Sequence, residues 1–326
     1  ARGLTGKPRF LYLNGDFHGL TYGAMSITDT GTHTRSGKGT FGPLLPGCMA
    51  IPRDDLGRLE RELAAGDVAA LVVEPIHGIE VKPLSPEFVS TAQRLCRKHD
   101  TVLIADEVFA GIGRTGKMYS CEHIGMQPDV IVISKALSGG YMPVGAILMR
   151  DDLHERFFKE PGAVLHISTF GHNDIGLAAA LSTLQIFEED NILAQAEKQG
   201  RKIVEGLREL QKKYDTIADV RGYGLLIAIE FQAPSKLHAR VSGRFLAKRG
   251  LLSHMAAMQL LAKYKVICPT SGRNNILRLH PPLIINDSEV NRLLESLEAV
   301  LKDIYSFPDG ISRFLLGQIL RMARSR

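Results

Sequence analysis

The sequence predicts an α/β fold: a mostly parallel sheet flanked by helices, followed by a smaller C-terminal α+β domain. Three observations carry this reading. Val68–Val73, Thr101–Ala105 and Asp129–Ile133 are short, continuous apolar runs rich in β-branched residues, the pattern of strands buried on both faces. Each run is followed at once by a charged or polar stop, at Glu74, Asp106 and Ser134-Lys135. From Ile217 the character changes, and Leu225–Phe231 and Ile276–Leu279 read as strands around helices such as Phe245–Lys263.

Phe10–Leu13 reads as a first strand leading into Asn14-Gly15-Asp16-Phe17-His18-Gly19, a loop with turn chemistry. The stretch from Thr30 to Gly47, rich in Gly, Thr, Ser and Pro, reads as a long loop. Asp54–Ala65 has helical periodicity. Ser85-Pro86-Glu87 is a strong helix start, with Ser85 as cap and Pro86 at the first helical position. Phe88, Ala92, Leu95 and Cys96 then follow helical spacing. Gly111–Gly116 lies between the two central strands. Ala178–Glu188 and Ile192–Tyr214 are predicted helices, and Ile311–Arg326 reads as a basic amphipathic tail. These elements divide the chain into a large domain over 1–189, a small domain over 190–310 and the tail over 311–326.

Composition excludes several classes. The 326 residues are 44% hydrophobic and 23% charged, with a net charge of +5, as in an ordinary globular protein. Basic residues are dispersed, so no nucleic-acid footprint stands out before the tail. No apolar run is long enough for a bilayer, and no signal-peptide pattern opens the chain. The four cysteines show neither metal-ligand nor disulfide spacing. They fit a reducing compartment, and the expected location is the cytoplasm.

The chemistry centres on Asp106 and Lys135. Ligands of open α/β sheets bind outside the carboxyl ends of the strands, and adjacent strand ends there face one crevice. Taken alone, a lysine at a strand end is usually a solvated charge, and an aspartate is as often a turn or helix cap. Glycine-rich loops after both residues, Gly111–Gly116 and Leu137–Gly140, let backbone approach a ligand closely. An amine with a lowered pKa suits Schiff-base chemistry. A facing aspartate suits a buried pyridinium, and an aromatic such as Phe17 suits stacking on its ring. Together these describe a pyridoxal phosphate site.

The order of motifs adds to this. Phe17-His18-Gly19-Leu20-Thr21-Tyr22-Gly23-Ala24, Val73-Glu74-Pro75-Ile76, Asp106-Glu107-Val108, Gly113-Arg114-Thr115-Gly116, Ser134-Lys135-Ala136, Ser168-Thr169-Phe170-Gly171 and Arg221-Gly222 closely resemble the class III aminotransferases, to about Lys302. These are pyridoxal-phosphate enzymes of the aspartate-aminotransferase fold type. The central stretch looks most like the putrescine, diamine and ω-amino acid transaminases. The resemblance implies that Lys135 holds the cofactor as a Schiff base and moves the proton, and that Asp106 partners the pyridine nitrogen. It implies that Phe17 and Val108 sandwich the ring, with His18 beside them as a further cofactor-binding residue. Thr169 would bind the cofactor phosphate of the neighbouring subunit, which makes the protein a homodimer with shared sites. Arg278 and Ser168 are the implied substrate-binding residues, Arg278 with a guanidinium fork suited to a carboxylate.

The sequence departs from the family in four places. Phe109 stands where a glutamine usually contacts the cofactor, and Leu20 where the acetylornithine-type enzymes have an arginine. His172-Asn173-Asp174 replaces the usual Gly-Asn-Pro. The family's small-residue phosphate loop at a helix N-terminus has no counterpart between Ala1 and Phe10. The sequence therefore reads as a fragment of a longer protein and predicts weak cofactor binding by these residues alone. The expected reaction is transfer of an amino group from an amine or ω-amino acid to a 2-oxo acid. Two other readings stay open: a mutase or racemase on the same fold, and a cofactor-poor, non-catalytic relative.

Overall fold

The structure is a computed structural model and describes residues 1–29, 38–159, 168–233, 250–271 and 275–305. The predicted tail, the predicted loop over 30–37 and the start of the predicted helix at Phe245 lie outside these residues. Contacts divide the chain into two compact units. The first comprises 1–78, 82–112 and 117–191. The second comprises 79–81, 113–116 and 192–326.

The first unit is built on a six-stranded sheet. Its strands are β1 (Arg9–Leu13), β2 (Cys48–Ile51), β3 (Val68–Val73), β4 (Val102–Asp106), β5 (Val130–Ile133) and β6 (Ala146–Met149). They lie in the order β2-β1-β3-β4-β5-β6. The first five are mutually parallel, and β6 runs antiparallel to β5 along one edge. β3 is buried at every position, which is why its sequence is an unbroken apolar run rather than an alternation. β2 and β6 are short apolar runs with little β-branched content, and the sequence does not single them out. Both are four residues long and only partly buried.

Helices cover the sheet where the caps predict. Pro86–Lys98 starts at Ser85, whose hydroxyl accepts the Phe88 N–H at 3.2 Å; such a cap contributes about 1 kcal/mol. The helix buries Phe88, Val89, Ala92, Leu95 and Cys96, which join Leu11, Leu13, Leu71 and Leu103 in one core. Leu56–Ala64 is capped by Asp55, which accepts the Arg58 N–H at 2.9 Å. The predicted helix at Ala178 begins four residues earlier. Asn173 accepts the Gly176 N–H at 3.0 Å, and the helix runs over Asp174–Glu189.

In the second unit, β7 (Ile217–Tyr223), β8 (Leu226–Phe231), β9 (Thr270–Ser271) and β10 (Ile276–Leu279) form an antiparallel sheet in the order β7-β8-β10-β9. The long helix Ile192–Lys213 buries Ala196, Ile203, Leu207 and Leu210 in a core with Ile227, Ile229, Leu277 and Leu297. Its Gly200 has no substitute. A Cβ there would lie 1.9 Å from the Gly224 carbonyl oxygen, so only glycine permits this backbone approach. Arg114 donates to the Pro281 carbonyl at 2.6 Å and accepts the Leu225 N–H on its own carbonyl at 3.0 Å. Burial lowers its guanidinium pKa to about 10.

Candidate active site

Four neighbouring strands, in the sheet order β2-β1-β3-β4, each deliver charged groups at their carboxyl ends. Arg53 follows β2, Asp16 and His18 follow β1, Glu74 and His77 follow β3, and Asp106 ends β4. This is the edge at which an open α/β sheet binds ligands.

Asp16 is fully buried. One of its oxygens pairs with Arg53, and Oδ2 accepts the Glu74 N–H at 2.9 Å. His18 is enclosed too, with its side chain 2% exposed. Its Nδ1 lies 2.7 Å from Asp106 Oδ2, and its Nε2 lies 4.0 Å from Asp16 Oδ2. The other Asp106 oxygen accepts the Val108 N–H at 3.0 Å. Glu74 accepts the Phe17 N–H at 3.3 Å and the Gly78 N–H at 3.4 Å. Burial above all, then the nearby Asp16 and Asp106, pushes the Glu74 carboxyl well above the usual range. Burial also raises Asp16, against the pull of Arg53 and His18. Burial and its carboxylate neighbours thus favour the protonated form of Glu74.

Asp16, Glu74 and His77 are close enough together to suggest a cation site. The His77 nitrogen facing Glu74 is Nε2, which also donates to the Gly15 carbonyl at 2.9 Å. A nitrogen carrying a proton has no lone pair for a metal, and Arg53 already neutralises Asp16.

Lys135 opens a short 3₁₀ turn over Lys135–Ser138, just after β5. Its φ is +46°, a left-handed conformation that costs a non-glycine residue about 1–2 kcal/mol. Because β5 lies beside β4 and parallel to it, with Asp106 opposite Val132, the amine and the carboxylate leave the same sheet edge. The Lys135 amine sits 4.8 Å from the centroid of the Phe109 ring, a cation–π distance. Gly78 makes room for that ring, since a Cβ there would lie 2.7 Å from Phe109 Cδ1.

Phe17 is 37% exposed and Val108 is half-buried. Ser168 and Thr169 are both exposed. Ser168 lines a cleft of about 640 Å³ together with Ser134, Val144, Phe170 and Asn173. A second cleft, of about 480 Å³, lies against Val108, Ile133, Ser134 and Ile147. Arg278 is half-buried on β10 of the second unit. The structure thus joins His18, Asp106 and Val108 through hydrogen bonds, ties the Phe17 N–H to Glu74 and places Ser168 on a cleft wall. Arg53 and Asp16 had no assigned role from sequence. Asp16 stands three residues after β1 and Arg53 two after β2, in turns where a charge is not distinctive.

A family model for class III aminotransferases matches residues 1–301. The chain belongs to the class III aminotransferase family. Within it, the chain is 30% identical to the aminotransferase PigE of a Serratia species, over 94% of this chain and 40% of that protein. An ornithine aminotransferase from Toxoplasma gondii superposes with a TM-score of 0.77 at 30% identity, over 91% of this chain and 65% of the other. An ω-transaminase from Pseudomonas jessenii in complex with PMP superposes with a TM-score of 0.82 at 28% identity, over 95% and 72%. The chain therefore spans well under half of PigE and about two thirds of the ornithine aminotransferase. The sheet order and the antiparallel second sheet are the class III aminotransferase architecture.

The donor set fits the ring end of pyridoxal phosphate. Each Asp106 oxygen accepts or faces one hydrogen-bonding group, which leaves a lone pair for a ring N–H. Phe17 and Val108 lie next to His18 and close to Asp106 in the chain, and Lys135 follows the neighbouring strand at the same sheet edge.

Proposed function

We propose that the protein carrying this chain is a pyridoxal-phosphate-dependent transaminase that moves an amino group from an amine or ω-amino acid to a 2-oxo acid. The observation that supports this most is the delivery of Asp106 and Lys135 to one sheet edge by the adjacent parallel strands β4 and β5. The cofactor, when bound, supplies an electron sink for the carbon next to the migrating nitrogen. Lys135 would hold it covalently through Nζ, and then carry the proton between the two ends of the transferred system. Asp106 would keep the ring nitrogen protonated, a role for which an ionised carboxylate is needed. Phe17 and Val108 would hold the ring on its two faces, and His18 would hold Asp106. Arg278 would bind a substrate carboxylate, with Ser168 lining the approach.

A homodimer, with Thr169 reaching the partner's phosphate site, belongs to the same reading. The helix Asp174–Glu189 supports it by leaving Leu177, Leu181 and Leu184 exposed along one face, with Ile175 66% exposed. Such a contiguous apolar face marks an interface. The four cysteines are free, in keeping with a reducing compartment, and no described helix is long and apolar enough to cross a membrane.

The test is covalent capture. Incubation with pyridoxal phosphate and then borohydride is expected to add the reduced cofactor's mass to the peptide containing Lys135. Capture on other lysines with Lys135 left unmodified would refute the assignment.

A further inference from the structure

We propose that Ser134 is a positioning residue for Lys135: its hydroxyl, tied across the neck of the loop between β5 and β6, holds the lysine in a backbone conformation it would otherwise leave. The role takes its chemical meaning from the transaminase reading of Lys135, while the conformational part stands without it.

β5 and β6 are antiparallel, and Ile133 lies opposite Ala146 where the loop leaves the sheet. Just inside that neck, the Ser134 hydroxyl donates to the Val144 carbonyl at 2.6 Å. Packing there is close, since a Cβ on Gly145 would lie 3.3 Å from the Ile133 carbonyl oxygen and 3.6 Å from Ser134 Oγ. Further out, the buried Ser138 hydroxyl donates to the Met142 carbonyl at 2.5 Å and accepts the Met142 N–H at 3.3 Å. The helix Asp174–Glu189 backs the loop, with Gly176 beside Pro143 and Val144, and Thr183 beside Gly139.

Lys135 sits between these two ties. The Ser134 carbonyl accepts the Leu137 N–H at 3.1 Å, closing a turn whose first central residue is Lys135. Its positive φ is the conformation that Gly, Asn and Asp favour at that place. The Cβ of a lysine opposes it, and such a residue stays there only where its surroundings over-determine it. Ser134 contributes twice. Its carbonyl closes the turn, and its side chain fixes the start of the turn to the far arm of the loop. Ser134 also lines both clefts, of about 640 and 480 Å³, so the tie lies at the ligand edge. Relaxation of Lys135 to negative φ would swing its Cα–Cβ bond and move the amine from its place 4.8 Å from the Phe109 ring centroid. Misplacing a reacting group by about 1 Å costs about 10²-fold in rate.

The experiment compares the wild type with Ser134→Ala, which removes the tie, and Ser134→Thr, which keeps the hydroxyl. Each protein is incubated with pyridoxal phosphate and trapped with borohydride over time, and adducts are read lysine by lysine from peptide masses. Amide hydrogen exchange over 134–139 in the ligand-free protein is the second readout. In Ser134→Ala, capture at Lys135 is expected to be about tenfold slower or more, with other lysines unchanged and exchange over 134–139 faster. Ser134→Thr is expected to restore both. Equal capture rates at Lys135 in the wild type and Ser134→Ala overturn the proposal. So does a change spread over all lysines with faster exchange throughout, which a purely structural hydroxyl would give. If Ser134→Ala does not fold, Ser138→Ala loosens the same loop and carries the same test with the same outcomes. Absence of capture at Lys135 in the wild type would instead refute the transaminase reading. Exchange then decides: a rise confined to 134–139 in Ser134→Ala upholds the positioning role, and unchanged exchange overturns it.

Discussion

His18 Nδ1 and Asp106 Oδ2 are 2.7 Å apart, in a pocket where the imidazole is almost wholly enclosed and the carboxylate sits at its rim. Asp106 is thus held from behind by a ring and from the side by the Val108 N–H, and its orientation does not depend on a ligand. Substituting Asp106→Asn keeps the shape and removes the charge. Transamination is expected to fall by about 10²–10³-fold, the usual loss for a preorganised electrostatic partner, with the melting temperature little changed. Steady-state kinetics with a panel of amines check this, and a loss below tenfold would contradict the assigned role.

Glu74 makes stability depend on pH. Its pKa in the folded protein is raised by burial, so the folded chain keeps a proton that the unfolded chain has released. Stability from this group is therefore greatest at or below the ordinary glutamate range and falls as pH rises above it. The slope is about 1.4 kcal/mol per pH unit for one full proton. Urea unfolding of Glu74→Gln between pH 5 and 8 is expected to show a flatter decline than the wild type. A parallel decline would mean that Asp16 and Glu107, which shift in the same direction, account for the whole effect.

Gly78 and Phe109 form a matched pair. The Cβ of Gly78→Ala would meet Phe109 Cδ1 at 2.7 Å and Glu74 Oε1 at 3.1 Å, so overpacking is expected to cost about 1–3 kcal/mol. Adding Phe109→Leu should recover part of that loss. Thermal melts of both single variants and the double variant measure the coupling, and simple additivity would show that the two residues do not share the space.

Gly200 is a harsher case, because the atom in the way is backbone. Gly200→Ala is expected to cost at least 3 kcal/mol or to prevent folding, since the Gly224 carbonyl 1.9 Å away has no rotamer to change. Soluble expression and a near-wild-type melting point would show that this helix and its neighbouring turn can separate.

The apolar face of Asp174–Glu189 provides a test of assembly. Placing a charge at its centre with Leu181→Glu is expected to convert a dimer into monomers while leaving the helix content intact. Sedimentation velocity reads the change directly. A dimer that persists in the variant would place the interface elsewhere.

Much of this architecture is legible in the sequence, for a definite reason. Burial on both faces leaves β3 and β4 no choice but continuous apolar residues, and the charges that end such runs mark the ligand edge. Ser85 and Pro86 announce their helix because capping is chemistry within four residues. What escapes is whatever depends on distant pairing. Cys48–Ile51 and Ala146–Met149 become strands by docking on neighbours, and neither run is long or regular enough to declare itself. The Arg53–Asp16 pair spans 37 residues of chain, and nothing near Arg53 distinguishes it from a solvated arginine. His18 was legible as part of a motif, but its bond to Asp106 spans 88 residues and required the fold.

The left-handed backbone of Lys135 has an evolutionary consequence. Glycine accepts that conformation freely, so Lys135→Gly is expected to unfold no earlier than the wild type and to gain up to about 1 kcal/mol, while losing the amine altogether. Mutation screened for heat resistance alone would tend to drift away from the lysine. Persistence of lysine at this position therefore needs a selective pressure other than sturdiness, and a melt of the two proteins side by side would measure how strong that pressure has to be.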